Sequence, residues 1–185
     1  MLIRIVAFLL ETAFFVLIAS ALLRAWMNWV RVNMIAPPGS FVMALTDWLV
    51  KPLRRALPRT LGQSRVDWAS VLAAALMALG YALLWWVLLG EVVGGLAAAP
   101  VLLLTLLALG LKMLVRVALQ TLLLLVLGFV ILSWVQPGSP TYGLLGRLTE
   151  PFLMPLRRLI PPVGGVDVST LVLLVLLQIA MMVLA

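Results

Sequence analysis

Long apolar runs alternate with short polar segments along the chain. A helix needs about 20 apolar residues, each rising 1.5 Å, to cross a hydrocarbon core of roughly 30 Å. Four runs approach that length: residues 5–23, 68–89, 117–135 and 168–185. The pattern predicts an all-α membrane protein with four transmembrane helices. A cleaved signal peptide is the alternative for the first run, but Glu11 in its centre argues against it.

The apolar residues just before the third predicted span allow two interpretations. Residues 100–111 are too short to cross a bilayer, and Lys112 and Arg116 separate them from the span. We interpret this stretch as a lead-in helix that is interfacial or partly buried. A fifth crossing is the alternative, which requires two charges in a very tight turn.

The amino-acid composition supports a bilayer environment and limits the kinds of reaction and metal site that the chain could provide. Hydrophobic residues make up 65% of the 185 residues and charged residues 10%, against roughly 45–50% and about 25% in soluble domains. The chain has no cysteine and no histidine, which excludes disulfides and any Cys- or His-dependent metal site or nucleophile. No phosphate-binding glycine loop is present. We therefore expect no enzymatic activity, no cofactor and no bound metal.

A polar block occurs twice with matching spacing. A threonine and an acidic residue are followed by Pro-Leu-Arg-Arg, and an aspartate then precedes the next apolar run. This duplication predicts two tandem repeats, residues 1–95 and 96–185, each built as helix, basic segment, helix. The matched residues are Thr46 and Thr149, Asp47 and Glu150, Pro52 and Pro155, Arg54-Arg55 and Arg157-Arg158, and Asp67 and Asp167.

The basic segments, residues 41–58 and 142–160, have apolar side chains on one helical face and arginines on the other. Such amphipathic helices lie at the membrane interface. Pro52 and Pro155 each remove a backbone amide and predict a kink, and we expect them to belong, with the arginines, to the lipid- or partner-binding segments. Ten of the 13 basic residues fall between the spans of a repeat, so the positive-inside rule places the basic segments in the cytoplasm and both termini outside. The net charge of +7 therefore favours anionic lipid rather than nucleic acid.

The paired arginines are the first candidate binding residues. Arg54-Arg55 and Arg157-Arg158 suit bidentate binding of a lipid phosphate or of a partner's carboxylate; alternatively, they only set the membrane orientation. Asp67 and Asp167 are predicted to cap the helices that follow them. An ion pair with the arginines of the same repeat is the alternative.

Glu11 is the second candidate, because it lies inside a predicted span. A carboxylate at the centre of a transmembrane helix costs on the order of 2.5–3.5 kcal/mol and marks a functional site by default. It could carry a proton or coordinate a cation. Alternatively, it bonds to Gln120, Arg116 or Thr12 and holds helices together.

The doubled block resembles the YggT family of small bacterial and plastid membrane proteins, over nearly the whole chain. The resemblance implies a multi-pass protein of the bacterial inner membrane, with links to osmotic or envelope stress, potassium uptake, cell division or cytochrome maturation. Because these roles share no chemistry, we expect a non-enzymatic scaffold or assembly factor. It would bind anionic lipid and an unidentified membrane or cytoplasmic protein, and homo-oligomerisation is left open. The alternative is a transport-related protein with Glu11 in a potassium or proton path.

Overall fold

The computed structural model describes residues 1–58, 66–93, 99–159 and 167–184. Within these ranges the chain is all-α. The predicted repeat boundary at residues 95 and 96, and the predicted end positions 160 and 185, lie outside the described residues. The six helices of the described ranges are α1 (Leu2–Trp29), α2 (Gly39–Ala56), α3 (Trp68–Val93), α4 (Ala99–Val135), α5 (Pro140–Leu159) and α6 (Val168–Leu184).

Three of these helices are long and apolar enough to cross a membrane: α1 over residues 3–29, α3 over residues 68–88 and α4 over residues 101–135. Helix α6 is apolar but has 17 residues, which is the lower limit for a crossing. Many large apolar side chains on these helices are exposed, among them Phe8, Leu104 and Met182. Apolar surface of this extent is stable in contact with lipid rather than water.

Helix α4 differs from the sequence prediction. It is one helix of 37 residues, about 55 Å long at 1.5 Å per residue, and it includes both the predicted lead-in helix 100–111 and the predicted span 117–135. Lys112 and Arg116 are exposed on it, and both residue types favour helix, so neither interrupts the backbone. Residues 100–111 thus lead into the span as part of the same helix, their interfacial or partly buried position stays a prediction, and the tight turn needed for a fifth crossing does not occur at these charges.

The chain forms two compact units, Met1–Val117 and Ala118–Ala185. In the first unit, α1 packs on α3, and α2 contacts both. Large core side chains such as Ile18, Val50 and Val117 surround the small side chains of α3. Small residues let helix backbones approach closely. A stripe of them at every fourth position of α3 is buried, namely Ser70, Ala74, Ala78 and Ala82.

The second unit has its own core, to which the C-terminal half of α4, α5 and α6 contribute. Helix α5 contacts α6. The ring of Phe129 on α4 stacks on that of Tyr142 on α5, with centroids 5.0 Å apart. Leu153, Leu173 and Leu177 complete the buried cluster.

The two predicted amphipathic segments are helices α2 and α5. Pro52 lies inside α2 and Pro155 inside α5; both are exposed, and the helices continue past them. The chain turns tightly into α2, where a Cβ on Gly39 would lie 2.6 Å from Met34 Cα, so only glycine fits. Before α5, Gly138 has φ +93°, a conformation that favours glycine.

Candidate functional site

The polar residues of the first repeat converge on Arg24, near the end of α1. Its Nη1 donates hydrogen bonds to Thr46 Oγ1 at 2.7 Å and to Asp47 Oδ1 at 2.8 Å. Its Nε lies 3.9 Å from Asp67 Oδ2. The Arg24 side chain is only 6% exposed, and a buried guanidinium is stable only when it is paired and hydrogen-bonded. We call Arg24, Thr46, Asp47, Arg54 and Asp67 the first-repeat cluster.

Arg54 connects α2 to the beginning of α3. Its Nη2 lies 2.6 Å from Asp67 Oδ2, and the same oxygen accepts a hydrogen bond from Ser70 Oγ at 2.8 Å. Arg54 is in the last turn of α2, and Asp67 immediately precedes α3, so each charge complements the dipole of its own helix end. The ion pair named as the alternative for Asp67 is thus present, whereas capping of a backbone amide stays a prediction.

Asp47 lies between two basic side chains. Lys51 Nζ is 2.7 Å from Asp47 Oδ2, while Arg24 contacts the other carboxylate oxygen. The hydrogen bond from Lys51, with a further contribution from Arg24, lowers the pKa of the Asp47 carboxyl, and partial burial opposes this only in part. Asp47 is therefore held in its charged form.

The second repeat contains the corresponding pair of Arg157 and Asp167. Arg157 Nε donates to Asp167 Oδ2 at 2.8 Å, and Nη2 donates to the same oxygen. Burial is the largest single influence on the pKa of Asp167 and raises it, but the hydrogen bond and charge of Arg157 help to bring the pKa below its ordinary value. The pair joins α5 to α6 as Arg54 and Asp67 join α2 to α3.

The other two repeat positions of the second unit are not brought into this pair. Thr149 is buried, but its hydroxyl donates to the carbonyls of Leu145 and Gly146 on its own helix. Glu150 is exposed and forms no ion pair within the described ranges. No lysine or arginine occurs between positions 117 and 146, so the second repeat has no counterpart of Arg24.

The second arginine of each pair has a different environment from the first. Arg55 and Arg158 are exposed, and neither forms an ion pair with the residues that the structure describes. Arg55 follows Phe41 and Trp48 at intervals of seven residues, which places all three on one side of α2. The predicted separation of arginines from apolar side chains was therefore wrong for Arg55. Phe41 and Trp48 are 65% and 62% exposed. We call Phe41, Trp48 and Arg55 the outer stripe of α2.

Helix α5 has a comparable exposed surface. Arg147, Met154 and Arg158 are exposed and follow one another at helical intervals of seven and four residues. Arg158 Nη2 lies 3.9 Å from Met154 Sδ. These three residues form the outer stripe of α5.

Glu11 pairs with Arg116, one of the three partners proposed for it. Glu11 Oε1 lies 3.2 Å from Arg116 Nη1. Thr12 instead donates to the carbonyl of Phe8 at 2.8 Å, and Gln120 is partly buried in the second unit. A cavity of about 220 Å³ adjoins the ion pair; Glu11, Tyr81, Ala82, Trp85, Leu109, Lys112, Met113 and Arg116 line it.

Sequence reasoning missed Arg24 as a site residue, because it was counted only among the charges that orient the spans. One signal was available: Arg24 directly follows the first apolar run and precedes Trp26 without a turn residue between them, so it still belongs to α1. Arg116 was named as a possible partner of Glu11, but Tyr81 was not, because it lies on a different helix far away in sequence. As to metals, the described residues contain no group of three His, Cys, Asp or Glu side chains that could hold an ion.

Apolar helices with lipid-exposed surfaces, and polar clusters between them, define a multi-pass all-α membrane protein. The family described as CCB3/YggT matches residues 3–88 and 108–185. The chain therefore belongs to the CCB3/YggT family, and the two matched segments are consistent with a tandem repeat.

Individual relatives support the assignment over most of the chain. "Uncharacterized protein YggT" of Escherichia coli K12 is 33% identical over 93% of this chain and 85% of its own length. A Vibrio alginolyticus protein, named "Uncharacterized protein in proC 3'region", is 35% identical over 94% of this chain and 90% of its own length. An uncharacterized protein of Pseudomonas aeruginosa is 32% identical over 88% of this chain and 79% of its own length. No solved structure matches.

Proposed function

We propose that this protein is a non-enzymatic membrane scaffold or assembly factor, which binds anionic lipid and a protein partner through the outer stripes of α2 and α5. Its chain crosses the bacterial inner membrane four times, with α2 and α5 at the cytoplasmic face and both termini outside. The distribution of basic residues supports this orientation. A reporter enzyme joined after Ala185 tests it: activity only outside the cytoplasm is expected, and a cytoplasmic signal contradicts it.

One observation carries the proposal, namely the different environments of the two arginines in each pair. All four arginines are exposed, but Arg54 and Arg157 are paired with aspartates, whereas Arg55 and Arg158 form no ion pair with the residues that the structure describes. An arginine that only closes the fold needs no second arginine beside it. The guanidinium that is not paired with an aspartate keeps planar donors for phosphate or carboxylate oxygens.

The surroundings of Arg55 suit a membrane interface. Trp48 and Phe41 expose apolar rings on the same side of α2, and tryptophan is enriched at the level of lipid headgroups. An aromatic side chain in the acyl boundary and an arginine at the phosphates is the arrangement of an interfacial helix. The outer stripe of α5 combines Arg147 and Arg158 with the flexible apolar side chain of Met154.

A transport-related role has less support. A cation path requires acidic or carbonyl oxygens that are available to the ion. Glu11 is paired with Arg116, and Lys112 lines the same cavity, so the lining carries more positive than negative charge. We therefore assign Glu11 no essential part in the scaffold function.

The decisive variant is Arg55→Gln with Arg158→Gln. After crosslinking in native membranes, we expect captured anionic lipid and protein partner to fall about tenfold, with thermal stability unchanged, because each exposed arginine makes charge-assisted hydrogen bonds. The matched control is Arg54→Gln with Arg157→Gln, which removes the same charge and lowers thermal stability instead.

Two outcomes oppose the proposal. One is undiminished lipid and partner capture by the Arg55→Gln, Arg158→Gln protein. The other is that Glu11→Gln alone abolishes rescue of a deletion strain under osmotic stress while the variant remains folded and abundant. That second result would favour the transport-related role.

A further inference from the structure

The cavity beside Glu11 lies within the first unit and is separate from the first-repeat cluster. Glu11 and Arg24 are both on α1, 13 residues apart, which corresponds to about 20 Å along the helix. Tyr81 and Trp85 come from α3, Lys112 and Arg116 from α4. Three helices of one unit therefore build this cavity, and neither outer stripe contributes to it.

The cavity has the charge of an anion site. Among the residues that the structure describes, its lining includes two basic side chains, Lys112 and Arg116, and one acidic side chain, Glu11. The Arg116 guanidinium contacts Glu11 through Nη1 at 3.2 Å. A guanidinium has five N–H donors, so a single carboxylate contact leaves most of them for a second anion.

The remaining lining residues suit the parts of a phosphate-bearing ligand. Tyr81 and Trp85 can each donate a hydrogen bond from the end of an apolar ring, and Leu109 and Met113 supply apolar wall. A water molecule needs at least about 10–15 Å³ of such space, so about 220 Å³ accommodates a much larger group. Gly110 of α4 lies against Leu79 of α3, because a Cβ added to Gly110 would be 2.9 Å from Leu79 Cδ2.

We propose that this cavity binds a phosphate group, held by Lys112 and Arg116 with Tyr81 and Trp85 as neutral donors. The phosphate belongs to an anionic phospholipid headgroup or is free phosphate; the shared chemistry is one or two negative charges on tetrahedral oxygens. Glu11 contacts Arg116 and, by its negative charge, limits the affinity. On the proposed topology the site lies at the opposite membrane face from α2 and α5.

The test uses the full chain in an uncharged detergent, carrying Arg55→Gln and Arg158→Gln so that the outer stripes do not contribute. Binding is titrated in three arms: a short-chain phosphatidylglycerol, the phosphatidylcholine of the same chain length, and inorganic phosphate. We expect Lys112→Gln to weaken phosphatidylglycerol or phosphate binding about tenfold, as loss of one charge-assisted contact does. Glu11→Gln should tighten binding several-fold, because it removes an acidic side chain that lines the cavity beside Lys112 and Arg116.

Arg4→Gln is the matched control, because Arg4 is an exposed cation on α1 that does not line the cavity. The affinity of this variant for phosphatidylglycerol or phosphate should stay within about twofold of that of the protein without the Arg4 substitution. Binding of phosphatidylglycerol without competition by inorganic phosphate identifies the headgroup as the ligand, and equal competition identifies free phosphate. The proposal is overturned if neither binds, if phosphatidylcholine binds equally well, or if Glu11→Gln weakens binding with its melting temperature unchanged.

Discussion

The two repeats share one ion pair and differ in what surrounds it. Arg54 with Asp67, and Arg157 with Asp167, each connect the end of an amphipathic helix to the start of the next apolar helix. Only the first repeat adds a buried arginine, Arg24, which extends the network to Thr46 and Asp47. The shared pair thus carries the connection that both halves need, while the cluster around Arg24 is an addition specific to the first half.

The second repeat shows how the same motif persists without the buried cation. Thr46 and Thr149 each donate the hydroxyl hydrogen to a carbonyl on their own helix, and Thr46 in addition accepts a hydrogen bond from Arg24. Glu150 remains at the surface, where a lone carboxylate has little energetic cost. Thr170, at the position of Ser70, is buried like it.

Replacing Arg24 should have the largest effect on stability. Arg24→Ala removes the cation from two buried or partly buried acceptors and leaves Asp67, 7% exposed, with less compensation. Breaking a buried pair from one side costs about 3–5 kcal/mol. Unfolding of the full chain in mixed micelles, followed by circular dichroism, measures this change. Arg147→Ala, an exposed arginine of the second repeat, serves as the control and should change the unfolding free energy by less than about 0.5 kcal/mol.

Replacing the aspartate of the ion pair should also destabilise the first repeat more than the second, by a smaller margin than the replacement of Arg24. Asp67→Asn leaves the buried Arg24 underneutralised and should cost about 3 kcal/mol of unfolding free energy. Asp167→Asn breaks a pair whose side chains are 44% and 33% exposed, so about 1 kcal/mol or less is expected. Equal losses of unfolding free energy for the two variants would contradict this, because they would mean that the arginine–aspartate pair, and not the buried cluster around Arg24, sets the stability of each half.

Replacing Asp47 or Glu150, the acidic residues that follow the two threonines, should give the smallest difference in stability between the repeats. Asp47→Asn loses charge-assisted hydrogen bonds to Arg24 and Lys51 and should cost about 1–2 kcal/mol. Glu150→Gln should change stability by less than about 0.5 kcal/mol. Both are measured at pH 7 by the same unfolding assay. A cost for Glu150→Gln as large as that for Asp47→Asn would contradict the contrast between the repeats.

Asp47 also makes the contrast dependent on pH. Its pKa in the folded protein lies below the ordinary value of 3.8, so the unfolded chain binds more protons in that range. Its contribution to stability is therefore complete above the unfolded pKa and is lost as the pH falls through the folded pKa. The unfolding free energy of the unmodified protein should fall more steeply in acid than that of Asp47→Asn.

Much of this architecture could be predicted from the pattern of residues, because hydrophobic length and a duplicated motif are properties of the chain alone. The small-residue stripe of α3 was found in this way, and the ion pair between Arg54 and Asp67 was recognised as an alternative. The continuity of α4 could not be predicted from its charges, since Lys112 and Arg116 report contact with solvent and not the path of the backbone.

Tertiary contacts account for the other gaps. The role of Arg24 depends on α2 lying across the end of α1, which brings Thr46 and Asp47 within reach from 22 and 23 residues away. Likewise, the selection of Arg116 over Gln120 as the partner of Glu11 depends on where α4 packs in the first unit. The exposure of Arg55 follows from which side of α2 is buried, and the apolar residues on its other sides obscure this in the sequence.

The arginine–aspartate pairs also decide where the chain tolerates extra length. One pair closes 13 residues and the other 10, yet both join their helices in the same way. Because the entropy of closing a loop rises only with the logarithm of its length, with about 0.6 kcal/mol per doubling, a short insertion between the two charges weakens the junction very little. We therefore expect a short epitope or protease cleavage sequence between Arg54 and Asp67 to leave that ion pair formed, whereas the more exposed pair of Arg157 and Asp167 tolerates less added length.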